Sequence, residues 1–111
     1  MKIMLSQPMK GKTTEYVREE RAAVVARLEA QGHTVIDTVF TDTPPDTDNI
    51  ALWHLGKSLE AMSSVDAVYF MKGWSQARGC IIEHMAAEKY GLWILHQESN
   101  HESRNHHPHT E

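Results

Sequence analysis

Apolar and polar positions alternate between two rhythms along the chain. Ile3-Met4-Leu5 is a short apolar run ended by Ser6-Gln7-Pro8, which predicts a buried strand. Thr13 or Thr14 can cap a following helix, with Glu15 placed favourably in its first turn. Val17, Val24, Val25 and Leu28 recur at helical spacing, and Gly32 is a natural stop. The β-branched run 33–40 predicts a second strand. A polar loop with Pro44-Pro45 follows, and Asp48 or Asn49 can cap a second helix. Leu52, Leu55, Leu59 and Met62 mark the predicted buried face of that helix. Residues 66–71 predict a third strand. The turn Lys72-Gly73-Trp74-Ser75 leads into a third helix running to about Tyr90, with Ile81, Ile82, Met85 and Ala86 as its predicted apolar stripe. Gly91 ends it, and Leu92-Trp93-Ile94-Leu95 predicts a fourth strand.

Strands alternating with helices imply a parallel sheet joined by right-handed crossovers. The expected fold is therefore α/β: a small doubly wound parallel sheet, strand order 2-1-3-4, with helices on both faces. Ligands of such folds sit beyond the carboxyl ends of the strands, near the switch point. That rule selects the loop from Ser6 to Lys12 and the loop from Lys72 to Gly79, which are neighbours in this strand order.

Composition narrows the class. The chain has 111 residues, 41% of them hydrophobic and 23% charged, which predicts one globular domain. No apolar run approaches the roughly 18 residues needed to cross a bilayer, and Met1 to Leu5 is too short for a secretory signal core. A single cysteine, Cys80, excludes a disulfide scaffold within the chain and points to a reducing cytoplasm. Eleven Lys and Arg against 15 Asp and Glu argue against nucleic-acid binding, which needs a basic face. Residues 97–111 carry His101, His106, His107 and His109 but no aliphatic or aromatic carbocycle to bury, which predicts a disordered tail after a domain spanning 1–96. The alternative for the tail is a loose metal-binding tract. Within the domain no Cys or His pairing has metal-ligand spacing, so neither a metal nor another cofactor is expected.

The two selected loops carry the candidate chemistry. The first contains Ser6, Gln7, Met9 and Gly11, with Gly11 allowing a tight backbone path; it lacks both the Walker pattern and GxGxxG. The second contains Gly73, Trp74, Ser75, Arg78 and Gly79. Ser75 and the amides after it are expected at a helix N-terminus, where anions are favoured, and Trp74 can stack on a base. The plain alternatives are a simple turn, an N-cap serine and a packing tryptophan. Glu83 lies two turns into the third helix, off the apolar stripe, and has no basic residue three or four positions away. Cys80 reads as a small buried hydrophobe.

The string Asp66-Ala67-Val68-Tyr69-Phe70, Gly73-Trp74-Ser75, Arg78-Gly79-Cys80, Glu83, Ala87 and Gly91, together with Ser6 to Gly11, resembles the nucleoside 2-deoxyribosyltransferase-like superfamily. More closely it resembles a small bacterial and phage branch, a domain of unknown function. The resemblance implies cleavage of the N-glycosidic bond of a nucleoside or nucleotide, with Glu83 as nucleophile, by hydrolysis or deoxyribosyl transfer. It also implies a 5′-phosphate site at Ser75 in nucleotide-using members, and homo-oligomers. This chain departs from active deoxyribosyltransferases at Ser58, where they carry an aspartate, at Ser6 and Gln7 in place of an aromatic hydroxyl, and at Ala77, in a stretch where they have a second acid. The alternative is a module that binds a nucleotide or ADP-ribose-like ligand without turnover, or a prophage accessory protein. Finally, Leu52, Trp53, Leu55, Leu59 and Met62 cover more than one helical face. That pattern predicts a homo-oligomer contact through the second helix, with Trp53 or Trp74 partly buried in it.

Overall fold

The computed structural model describes residues 1–36, 46 and 48–97. Residues 37–40 of the predicted second strand, most of the loop after them, and the His-rich tail from 98 onward lie outside the described residues. The elements run β1 (Lys2–Ser6), α1 (Thr14–Ala30), β2 (Thr34–Ile36), α2 (Ile50–Met62), β3 (Ala67–Phe70), a single 3-10 turn (Trp74–Gln76), α3 (Arg78–Lys89) and β4 (Trp93–His96). All pairings in the four-stranded sheet are parallel, in the order β2-β1-β3-β4. This is the doubly wound α/β topology that the alternation of patterns predicts.

The helix ends follow local chemistry. Thr13 Oγ1 accepts from the Tyr16 N–H at 3.1 Å, and Asn49 Oδ1 accepts from the Leu52 N–H at 3.0 Å, so α1 and α2 begin on side-chain caps. Gly32 and Gly91, at φ 92° and 75°, take the left-handed conformation that ends α1 and α3. Asp66 accepts from the Lys2 N–H at 2.8 Å, tying the start of β3 to the start of β1.

The pleat divides the core in two. Ile3, Leu5, Ala67, Tyr69, Met71 and Leu95 pack with Val24 and Leu28 of α1. Met4, Val68, Phe70 and Ile94 face the other way, against Met62 and Val65 at the end of α2 and Ala87 of α3. Neighbouring strand residues serve opposite layers because successive side chains alternate across a sheet.

Two predicted faces are corrected. On α2 the core contact lies in the C-terminal half: Met62 is buried and Leu59 packs against the core, whereas Leu52 in the first turn is 59% exposed. On α3 three of the four predicted stripe residues, Ile81, Ile82 and Met85, are exposed, while the fourth, Ala86, packs against the core beside the buried face of Cys80, Glu83 and Ala87. Both stripes have helical spacing, so periodicity alone could not choose between them. The structure buries the slimmer one, whose Cys80 and Ala87 permit close approach of α3 to the sheet.

Candidate functional site

The carboxyl end of the sheet closes on one rung of residues. Ser6, Phe70 and His96 are register partners across β1, β3 and β4. Ser6 shares the pleat side of Met4, so it faces α3. There its Oγ donates a 2.5 Å hydrogen bond to Glu83 Oε1, 77 positions away in sequence. Ser6 and Glu83 are both buried, at 1% and 8% exposure.

Glu83 is therefore not the solvated surface glutamate that its residue type usually is. Burial raises its pKa above the ordinary carboxyl range, and hydrogen bonds from the Ser6 and Ser58 hydroxyls offset part of that rise. Among the described residues no Lys or Arg pairs with it. Cys80 lies one turn earlier on the same buried face. Burial pushes its thiol up, partly countered by hydrogen bonding to Ser6, and the nearby Glu83 charge adds to the rise. The result is a buried carboxyl held by neutral donors, with a thiol beside it. Such a group can act as a nucleophile or stabilise a cationic carbon when ionised, and can donate a proton when neutral.

Gly79 stands one turn before Glu83, and a Cβ placed on it would meet nothing within 4 Å. Gly73, at φ 90°, takes a conformation that L side chains rarely adopt, and it brings the second loop close to the first: a Cβ there would lie 3.6 Å from Pro8 Cγ. The two predicted loops thus approach each other at the switch point.

Not every predicted site residue joins this cluster. Gln7 follows Ser6, so the pleat sends it to the α1 side. Its Nε2 donates to the Val17 carbonyl at 2.9 Å, and its buried Oε1 has no hydrogen-bond partner among the described residues. Lys12 and Glu20 pair at 2.9 Å and fasten the same loop to α1. Met9 and Gly11 are exposed on that loop, with Gly11 at φ 79°. Ser75 lies inside the 3-10 turn and is exposed, and α3 starts after Ala77 without a side-chain cap. The expectation that Ser75 opens the third helix is corrected: Gln76 and Ala77 intervene. Arg78, the first residue of α3, is exposed.

Trp74 is half-buried and stacks face to face on His84, with ring centroids 4.1 Å apart and planes 4° apart. His84 Nε2 lies 3.1 Å from His96 Nε2, and Phe70 packs against both imidazoles. One face of the indole is thus taken by protein. The sequence pattern alone does not connect His84 to His96. It marks Ser58 only as a departure; the structure places its hydroxyl on Glu83. The aspartate that active deoxyribosyltransferases carry at this position was the available signal.

Fold and site together define a small doubly wound α/β domain with a hydroxyl-held carboxyl group at the carboxyl edge of its sheet. The chain belongs to the DUF4406 family, a domain of unknown function whose family pattern matches residues 1–96. A search of curated proteins finds no match to the chain. No helix among the described residues is long and apolar enough to cross a membrane.

Proposed function

We propose that the chain is a nucleoside or nucleotide N-glycosidase, or a deoxyribosyltransferase-like enzyme, in which Glu83 is the nucleophile. The observation that carries this reading is the Ser6–Glu83 pair: a buried carboxyl, at the ligand end of a doubly wound sheet, held by hydroxyls rather than cancelled by a cation. In the proposed step a Glu83 oxygen bonds to the anomeric carbon as the carbon–nitrogen bond breaks. The bonding pair leaves with the base, which takes a proton from solvent. Water then attacks the glycosyl ester, releasing the sugar and restoring the carboxylate; a second base in place of water gives transfer. Ser6 and Ser58 donate to the carboxylate and so oppose, without cancelling, the rise in pKa that burial imposes on it. The ligand enters between the Ser6–Gly11 and Gly73–Gly79 loops, with the half-buried Trp74 offered to the base and the exposed Arg78 to any phosphate.

The reading places the protein in a reducing cytoplasm, consistent with its one buried free thiol. It also includes self-association, because a domain this small buries a limited share of its surface. A second reading, binding of a nucleotide or ADP-ribose-like ligand without turnover, is favoured by Ser58: a hydroxyl on Glu83 supplies no second carboxylate to handle protons.

Incubation with a panel of nucleosides, nucleotides and NAD, followed by chromatography of free base, tests the proposal. Base release that disappears in Glu83→Ala supports it. Calorimetric binding without release supports the second reading, and neither binding nor release contradicts both.

A further inference from the structure

His84 and His96 meet head-on at the carboxyl edge of the sheet. His84 belongs to α3 and His96 ends β4, and their Nε2 atoms lie 3.1 Å apart. The ring centroids are 5.3 Å apart and the planes differ by 17°. The centroid separation exceeds the nitrogen separation by nearly two ring radii, so each nitrogen points along the line to the other ring. Two imidazoles so arranged share one proton between them: one nitrogen is the N–H donor and the other must offer its lone pair. The Trp74 indole stacks over both rings, at centroid distances of 4.1 Å from His84 and 5.4 Å from His96, and Phe70 packs against the same two imidazoles. The pair thus ties α3 to β4 and carries the tryptophan of the second loop on it.

Three protonation states follow. With both rings neutral, one Nε2–H donates to the other nitrogen. With one proton added, an imidazolium donates to a neutral ring, and the bond becomes charge-assisted. The indole face over His84 favours that charge on His84. With a second proton, both nitrogens carry hydrogen and point at each other, so the bond is lost and two like charges stand 3.1 Å apart. The neighbouring titratable groups among the described residues do not lift that exclusion. Glu88 lies one turn beyond His84 on its face of α3, and Glu83 lies beside it; both favour a first proton, but neither stands between the two nitrogens. Glu83 also becomes neutral early in acid, because burial raises its pKa, and the Cys80 thiol stays neutral for the same reason. Arg78 and Lys89 fall on other faces of α3. On α2, Lys57 and Glu60 pair with each other at 3.8 Å, and His54 packs edge-on against Trp53. Lys72 is exposed, and its backbone N–H donates to Gln97 Oε1.

We propose that the His84–His96 pair is a pH-sensitive latch on the second loop: it holds Trp74 in place while it carries one added proton or none, and releases it when the second binds. The proposal is independent of the reaction assigned to Glu83. Interacting imidazoles take up their protons as a pair, in two steps, and here only the second step breaks the contact. His96 is fixed through the backbone pairing of β4 with Phe70 of β3. The His84 ring and the indole stacked on it are therefore the parts that move. Their movement frees the Gly73–Gly79 loop at the carboxyl edge of the sheet, so acid loosens one wall of the candidate site while the sheet stays intact.

Side-chain NMR of the full chain, titrated through the imidazole range, tests the latch. Sequential assignment identifies the two imidazoles and the three indole N–H signals, so the test does not depend on a variant folding. His84 and His96 should titrate in linked steps separated by more than about one pH unit. The Trp74 indole N–H should shift with the second step, while those of Trp53 and Trp93 stay in place. In His84→Gln, which removes one of the two protonation sites, His96 should titrate in a single step and the Trp74 signal should lose its pH response. Imidazoles that titrate independently, each indifferent to loss of the other, would overturn the pair. Linked titration with a Trp74 signal that ignores the second step, or that moves only together with Trp53 and Trp93, would overturn the latch.

Discussion

Ser6 and Glu83, 77 residues apart, are joined by a 2.5 Å hydrogen bond at the point where β1 ends against α3. The bond couples the stability of the domain to its proposed chemistry, because the same hydroxyl stabilises the ionised carboxylate that would attack the substrate.

Removing that hydroxyl should therefore act on the ionised form. Ser6→Ala leaves Glu83 with the Ser58 donor and a larger desolvation penalty, so its pKa rises further. The loss in stability at neutral pH should be about 1.5–3 kcal/mol, the range for a hydrogen bond to a charged group, and smaller in acid. If Glu83 must be ionised for turnover, the acid limb of the pH–rate profile should move to higher pH. Denaturant melts at several pH values and a kcat/KM profile measure the two effects.

Glu83→Gln should stabilise the fold at neutral pH. The folded pKa of Glu83 is raised above its unfolded value, so folding favours the protonated form. Its contribution is fully present below the unfolded pKa and is lost as pH rises through the folded pKa. A neutral glutamine keeps an acceptor for Ser6 without the cost of a buried charge. The melting temperature should exceed that of the unchanged protein at neutral pH by a few degrees. About 1 kcal/mol moves a domain of this size by roughly 4–8 °C. The difference should close as the pH falls below the ordinary carboxyl range. A Gln variant less stable than the parent at neutral pH would mean the carboxylate is held more favourably than its burial implies.

Trp74→Ala separates packing from recognition. The indole stacks on His84 at 4.1 Å and packs against the second core layer. Its truncation should cost roughly 2 kcal/mol, below the 3–5 kcal/mol of a fully buried aromatic because Trp74 is half-exposed. A variant of unchanged stability that loses ligand affinity would mean the residue serves binding alone.

The order of elements, the strand order and the starts of α1 and α2 to within a residue were legible because each rests on local chemistry: apolar runs, caps at Thr13 or Thr14 and at Asp48 or Asn49, of which Thr13 and Asn49 serve, and Gly32 and Gly91 as stops; the start of α3, which has no side-chain cap, was not. The two candidate loops followed from the topology. The buried side of α3 was not legible, since Ile81, Ile82 and Met85 carry more hydrophobicity than Cys80, Glu83 and Ala87, and only the tertiary fit to the sheet decides which stripe turns inward. Gln7 and Ser6 were read as one site, yet a strand sends neighbours to opposite faces; knowing that β1 extends to Ser6 would have separated them. The Ser58 and His96 contacts depend on pairings between distant elements, which a single sequence does not display.

Mass spectrometry of the intact protein, quenched in acid after mixing with a nucleoside that it cleaves, tests the nucleophilic role of Glu83 most directly. The account predicts a mass increase equal to one glycosyl residue, located on the peptide containing Glu83 and absent from Glu83→Gln. Base release with no adduct on Glu83, or with release undiminished in Glu83→Gln, would contradict it.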